Sequence, residues 1–174
     1  MADTQITIAK PVLDEILDHA AQSWPMECCG LLIGPRDVDA GLGANKKAGE
    51  PSFASRPYEI RISRCVVAAN VADDPTMTFE IDPGLLLRTH RAVRESGEEI
   101  MGCYHSHPNG HVLPSRTDLQ RAEQAGFLWL IAGSVTEGVR DWAIYQRMPV
   151  IDNDLAARYF QTLDCRVDPD DIAR

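Results

Sequence analysis

The stretch Met101–Asp118, M-G-C-Y-H-S-H-P-N-G-H-V-L-P-S-R-T-D, gathers the side chains best able to do chemistry: His105, His107, Ser115 and Asp118. Side chains alternate along a strand, so the two histidines, two residues apart, face the same side if Met101–His107 is extended. Ser115 and Asp118, three apart, share a face at the start of a helix. Two imidazoles and one carboxylate converging from two elements make three ligands for a divalent metal. Zinc suits them best, with a fourth position open for water, as in catalytic rather than closed structural sites. Such an ion lowers the pKa of its water from about 15.7 to about 7 and polarises a carbonyl oxygen. Hydrolysis also needs a base to take the water's proton and pass it to the leaving amine. Glu27, at the mouth of the apolar run E-C-C-G-L-L-I, is the candidate base, and Ser115 a candidate donor to the developing oxyanion.

Each of these residues has a plainer reading. Ser115-x-x-Asp118 also fits a capping box, with Ser115 capping a helix and the acid in its first turn. A lone H-x-H is often polar strand surface, and Glu27 is also a charge at a strand end. Their co-occurrence is what favours a site. His111 is a fourth ligand, a substrate contact or a solvated loop residue, the last being the plainest. Cys28, Cys29 and Cys103 read best as small buried apolar side chains, with a thiol in the metal's open position as the alternative.

The rest of the chain bounds what such a site can serve. A length of 174 residues suits one domain with a sizeable core, and 44% hydrophobic against 25% charged residues is the balance of an ordinary folded protein. The formal net charge of -9, with no Lys/Arg run longer than Lys46–Lys47, disfavours nucleic acid and anionic membranes as partners. Nothing near Met1 reads as a signal peptide or a spanning helix, so the expected location is cytoplasmic. Five cysteines in no framework spacing fit reduced thiols, and the absence of C-x-x-C argues against a zinc ribbon or a nucleoside deaminase.

The elements that must position these residues can be read in order. Gln5–Ile8 alternates as a short strand, and Pro11 opens a helix to about Gln22 with His19 in its last turn, read as a satisfied surface histidine. Glu27–Ile33 is a buried strand closed by Gly34–Pro35. Residues 35–57 read as a surface insertion or loose hairpin. Tyr58–Ala69 is a strand, Asn70–Pro75 a loop and Thr78–Ile81 a short strand. Asp82–Pro83 caps a helix stopped by Gly97, with His90 partly buried on it. Glu99–His107 is the strand bearing the histidines, and a helix runs from Ser115 to about Ala125. Phe127–Ser134 reads as a central strand paired with Val139–Gln146 across a turn at Gly138. A last helix covers about Asn153–Leu163, and the acidic tail Asp164–Arg174 frays. The expectation is a mixed α/β domain over residues 1–163, one sheet with helices on its faces, followed by the 164–174 tail.

Taken together, a glutamate ahead of C-G-L-L-x-G and the pattern H-x-H-x7-S-x2-D resemble the JAMM/MPN+ (JAB-domain) zinc metalloproteases, over about Gln5–Gln146. The resemblance implies the JAB/MPN, cytidine deaminase-like three-layer α/β architecture. It also implies one zinc per chain on His105, His107 and Asp118, with Glu27 as general acid/base and Ser115 as oxyanion stabiliser. E-C-C-G-L-L-I-G, A-A-N-V-A-D-D-P and Y-H-S-H-P look like the small bacterial members. Those similar proteins hydrolyse the amide after the C-terminal Gly-Gly of ubiquitin-like sulfur-carrier proteins, in some releasing cysteine. An extended tail of that kind can add as a strand at a sheet edge, with 35–57 or Asn70–Pro75 as clamp. A non-catalytic scaffold of the same fold and a zinc amidohydrolase on a small amide are the competing functions. Exposed strand edges leave a homodimer open.

Overall fold

The computed structural model describes residues 5–36, 59–148 and 160–169. Its elements run β1 (Gln5–Ala9), α1 (Lys10–Ser23), β2 (Cys29–Pro35), β3 (Glu59–Ile62), β4 (Arg64–Ala68), α2 (Pro83–Ser96), β5 (Glu98–His107), α3 (Arg116–Arg121), β6 (Leu128–Val135), β7 (Gly138–Arg147), β8 (Phe160–Leu163) and β9 (Cys165–Asp168). They build a six-stranded sheet in the order β4-β2-β5-β6-β7-β8 and a three-stranded one in the order β3-β1-β9. The expected single sheet is therefore two. The 35–57 insertion lies almost entirely outside the described residues.

The larger sheet is covered on both faces, which is why β2 and β6 read as continuous apolar runs. Leu32, Tyr104, Leu128, Leu130 and Ile144 join Val12, Leu13, Ile16 and Ala20 of α1 and Ile6 and Ile8 of β1 in one core. The opposite face carries Cys29, Cys103, Trp129, Ile131 and Tyr145, packed with Phe79 and with Ala122 just beyond α3, and Leu31 and Ile33 packed with Val93 of α2. Each fully buried Leu or Ile contributes about 1.5–3 kcal/mol, so both faces stabilise the central sheet. The result is three layers with the sheet in the middle.

Local signals match the helix ends. Pro11 lies in the first turn of α1, and Asp82 caps α2 by accepting from the Gly84 and Leu85 amides. Gly97 ends α2 in the left-handed region at φ 73°, where a Cβ-free residue avoids strain. Four expectations need correction. Tyr58–Ala69 is not one strand: β3 pairs in parallel with β1, and β4, separated from β3 by Ser63 alone, pairs antiparallel with β2. Thr78–Ile81 forms only a bridge between Asn70 and Ile81. The helix expected from Ser115 to Ala125 ends at Arg121, because Arg147 takes the Ala122 carbonyl through Nε at 2.8 Å and the Gly126 amide donates to the Arg147 carbonyl at 2.7 Å. Phe160–Leu163, expected as the end of a helix, is β8, paired antiparallel with β7; residues 153–159 of that helix lie outside the described residues.

The tail expected to fray is corrected over its first part; residues 170–174 lie outside the described residues. Cys165–Asp168 is β9, paired in parallel with β1 from Ile6–Cys165 to Ala9–Asp168. His90 is exposed, since α2 turns Thr89 and Val93 inward instead. His19 is partly buried, and its Nδ1 lies 2.9 Å from the Tyr104 hydroxyl. No helix among the described residues is long and apolar enough to cross a membrane.

Candidate metal centre

Strand register brings the two parts of the site together. β2 and β5 run antiparallel, with Cys29 opposite His105 and Gly30 opposite Tyr104. The pairing extends past the strand end, since the Cys28 amide donates to Ser106 Oγ at 2.9 Å and the Ser106 amide to the Cys28 carbonyl at 3.1 Å. One more step sets Glu27 opposite His107, on the same face as Cys29 and His105. Glu27 is further fixed by its amide, which donates to the Pro75 carbonyl at 2.7 Å, and by Asn70 Nδ2, which donates to its carbonyl at 2.9 Å.

The third contribution comes from a crossover. β5 and β6 are parallel, His107 beside Gly133, so the connection between them must cross a sheet face, and it carries α3. The start of α3 therefore stands beyond the carboxyl end of β5, where ligands of α/β sheets bind. Ser115 caps it: Oγ accepts from the Asp118 amide at 3.1 Å, and Asp118 Oδ2 accepts from the Ser115 amide at 2.6 Å. The capping box and the metal-facing role of Asp118 thus coexist, because a carboxylate has lone pairs enough for both.

His105, His107 and Asp118 are all buried, and their ligand atoms lie within 4.8 Å of one another. The Nε2 atoms of the two histidines are 3.0 Å apart; Asp118 Oδ1 is 3.3 Å from His105 Nε2, and Oδ2 is 3.3 Å from His107 Nε2. Donors placed tetrahedrally about 2.0–2.1 Å from a small ion stand about 3.3 Å from each other, so the spacing fits a divalent cation. Two imidazole nitrogens face to face at this distance also repel unless a proton or a cation lies between them. His107 is aimed by its other nitrogen, Nδ1, which lies 3.1 Å from the His111 carbonyl. His111 thus serves through its main chain, and its side chain is exposed.

Charges are unevenly distributed around the group. Burial opposes the charge on Asp118, yet hydrogen bonds from both histidines hold its carboxyl far below the usual carboxylate range. Burial lowers His105 against the pull of Asp118; burial also lowers His107, but there Asp118, Glu27 and the His111 carbonyl together raise it. A cation bound here would compete with protons for the same imidazole nitrogens. Burial pushes the Glu27 carboxyl up to about 7; His107 and Arg121 pull it down and Asp118 pushes it further up. Glu27 is 8% exposed, and the same group that holds the metal ligands sets its charge. Ser115 is exposed at the helix start, and with Oγ accepting from Asp118 its own hydroxyl hydrogen remains to donate.

No cysteine belongs to the group. Cys28 points into the opposite core, and burial raises the Cys28 thiol to about 11 and the Cys29 thiol to about 12, leaving both protonated. The surroundings of His105 are what sequence reasoning missed. Phe79 stacks on His105 with centroids 4.4 Å apart, Trp129 meets it edge-on at 5.8 Å, and Arg121 Nη1 donates to the Phe79 carbonyl. The sequence places Phe79 only within the short strand expected at Thr78–Ile81. Phe79, Arg121 and Trp129 also line a cavity of about 470 Å³ with Leu31, Leu86 and Phe127.

A three-layer α/β fold with a buried His-His-Asp group and a neighbouring buried glutamate defines the protein as of metallohydrolase type. Residues 9–145 match the family of prokaryotic homologs of the JAB domain, and the chain belongs to that family. It is 29% identical over 135 residues to a desampylase of Haloferax volcanii, covering 75% of this chain and 82% of the relative. It is 27% identical to a probable TtuB-protein conjugate cleaving protease of Thermus thermophilus (76% and 72% covered) and 27% identical to the CysO-cysteine peptidase of Mycobacterium tuberculosis (68% and 66%). A solution structure of a protein from Desulfitobacterium hafniense shares the fold, with a TM-score of 0.65 at 23% identity over 95% of each chain.

Proposed function

We propose that this JAB-family hydrolase is a zinc-dependent peptidase or isopeptidase that cuts the amide after the C-terminal Gly-Gly of a ubiquitin-like sulfur-carrier protein, releasing cysteine or another amine. The observation that carries the reading is the convergence of Glu27 with His105, His107 and Asp118 on one face of the sheet from two strands and a crossover helix. The relatives named as a desampylase, a probable TtuB-protein conjugate cleaving protease and a CysO-cysteine peptidase support a protein conjugate as substrate class.

In this reading His105, His107 and Asp118 hold the zinc, one per chain. Zinc, when bound, supplies Lewis acidity to a carbonyl and acidifies water. Glu27 takes the proton of the attacking water on a carboxylate oxygen and returns it to the leaving amine; a carboxyl near neutrality suits both transfers. Ser115 donates its hydroxyl hydrogen to the oxygen that gains charge, where one donor contributes about 3–4 kcal/mol. Of the two clamp segments, Asn70–Pro75 abuts Glu27 through the Pro75 carbonyl and is the one we assign to the tail. The outer edge of β4 is unpaired among the described residues and offers main-chain groups to an added strand. We place the whole in one cytoplasmic domain.

The test is Glu27→Gln. The variant should bind zinc stoichiometrically, as wild type does, while cleavage of a carrier extended past Gly-Gly by cysteine, read by mass, falls by about 10²–10⁴. A wild type that takes up no zinc from a metal-replete medium, or a Glu27→Gln protein that still cuts at the wild-type rate, would refute the mechanism. Cleavage of short unrelated peptides but not the carrier would refute the substrate.

A further inference from the structure

The two histidines are oriented by different means. His107 has the His111 carbonyl at Nδ1, the arrangement that fixes most metal-bound imidazoles. His105 has none: its Nδ1 is buried and has no hydrogen-bond partner among the described residues. Away from the ligand edge, where Nε2 lies 3.3 Å from Asp118 and 3.0 Å from His107, packing sets its ring plane, with Phe79 stacked at 4.4 Å and 23° and Trp129 edge-on at 89°. What holds Phe79 therefore helps to hold His105.

Phe79 lies in a segment that joins the sheet by a single bridge, Asn70 to Ile81. Asn70 secures its flanks, donating to the Thr78 carbonyl at 3.0 Å and accepting from the Glu80 amide at 3.0 Å. The Phe79 carbonyl goes instead to Arg121. Arg121 stands one turn after Asp118, at the end of α3, a helix of only 6 residues. So short a helix does not persist without outside contacts.

We propose that Arg121 is a positioning residue of the metal centre: by bonding the Phe79 carbonyl it fastens the Asp118 helix to the Phe79–His105 stack, so that ligands from two separate elements keep their spacing. The proposal rests on reading His105, His107 and Asp118 as metal ligands. Arg121 is exposed, so its substitution leaves the core intact; its charge also acts on Glu27, which is why the test reads metal affinity and not turnover.

The experiment measures zinc affinity of the full chain by competition with a chromogenic chelator, and the visible spectrum of the cobalt-substituted protein, for wild type, Arg121→Met, Arg121→Lys, Phe79→Leu and the Met/Leu double variant. Loss of such an outer partner weakens metal binding by roughly 10- to 100-fold, which is the fall expected for Arg121→Met, with altered cobalt bands and an unchanged melting temperature of the metal-free protein. Arg121→Lys should recover most of it. Phe79→Leu should weaken binding similarly, and the double variant no more than the worse single one, since both act along one path. Arg121→Met with zinc affinity within about twofold of wild type and an unchanged cobalt spectrum overturns the positioning role while the metal site stands. Fully additive losses overturn the shared path. Should Arg121→Met not fold, the Lys and Leu variants decide the question by the same criteria. A wild type that binds no zinc overturns the ligand reading itself.

Discussion

Gly133→Ala should weaken metal binding although Gly133 touches no ligand side chain. Gly133 pairs with His107 across β5 and β6, and a Cβ there would lie 2.4 Å from the Gly110 oxygen, 2.7 Å from its carbonyl carbon and 3.3 Å from its Cα. These are backbone atoms, so no rotamer change relieves the clash. A carbon–oxygen contact settles at about 3.3 Å or beyond, which requires Gly110 to retreat by about 1 Å. Gly110 is bonded to the His107 carbonyl through its amide at 3.2 Å, and the next residue supplies the carbonyl 3.1 Å from His107 Nδ1. A retreat of that size carries the His111 carbonyl to about 4 Å, beyond hydrogen-bond range. His107 then loses the contact that aims it. The expected fall in zinc affinity is about 10- to 100-fold, or about 1.4–2.8 kcal/mol, with a further 1–3 kcal/mol, roughly, lost from fold stability through overpacking. Chelator competition measures the first and denaturant unfolding of the metal-free protein the second. A folded Gly133→Ala protein with wild-type zinc affinity would show that the His111 carbonyl does not orient His107, and the reasoning would fail at that step.

Two further outcomes separate stability from the site. Gly97→Ala places a side chain at φ 73° with open space around it, so it should cost about 1 kcal/mol by unfolding and leave zinc affinity unchanged; a change in affinity would mean that the end of α2 reaches the metal centre. Glu98 accepts from Arg64 at 2.9 and 2.6 Å and from Ser96 at 2.8 Å, and the Arg64 hydrogen bonds hold its carboxyl below the usual range. A depressed carboxyl stabilises the fold above its unfolded pKa, and the gain is lost as pH falls through the folded value. Glu98→Gln should therefore lower stability by at most about 1 kcal/mol at pH 7, and by progressively less as the solution is acidified below the carboxylate range. A pH-independent difference would assign the effect to packing.

Much of this protein was legible because much of it is local. Pro11, Asp82 and Gly97 announce helix ends through their own backbone limits, and the period-two run Tyr104–His107 fixes which side chains share a face before any partner strand is known. The spacing of His105, His107, Ser115 and Asp118 likewise carries its chemistry in one stretch. Where local preference competed with a distant partner, the partner won. Phe160–Leu163 has helical spacing yet pairs with β7, and Cys165–Asp168, within a stretch acidic as a whole, completes a sheet begun by β1. α3 stops at Arg121, where Arg147, on a strand two elements later, binds the carbonyl of the following residue, Ala122.

The sequence by itself thus determined the ligand types, their order and the helix boundaries set by caps. Only the tertiary structure decided that Glu27 meets His107, since that depends on the register of β2 against β5, and register is a property of two segments far apart in the chain. The same holds for the hold on His105: Phe79, Trp129 and Arg121 come from three places in the chain, and only packing sets them around one imidazole.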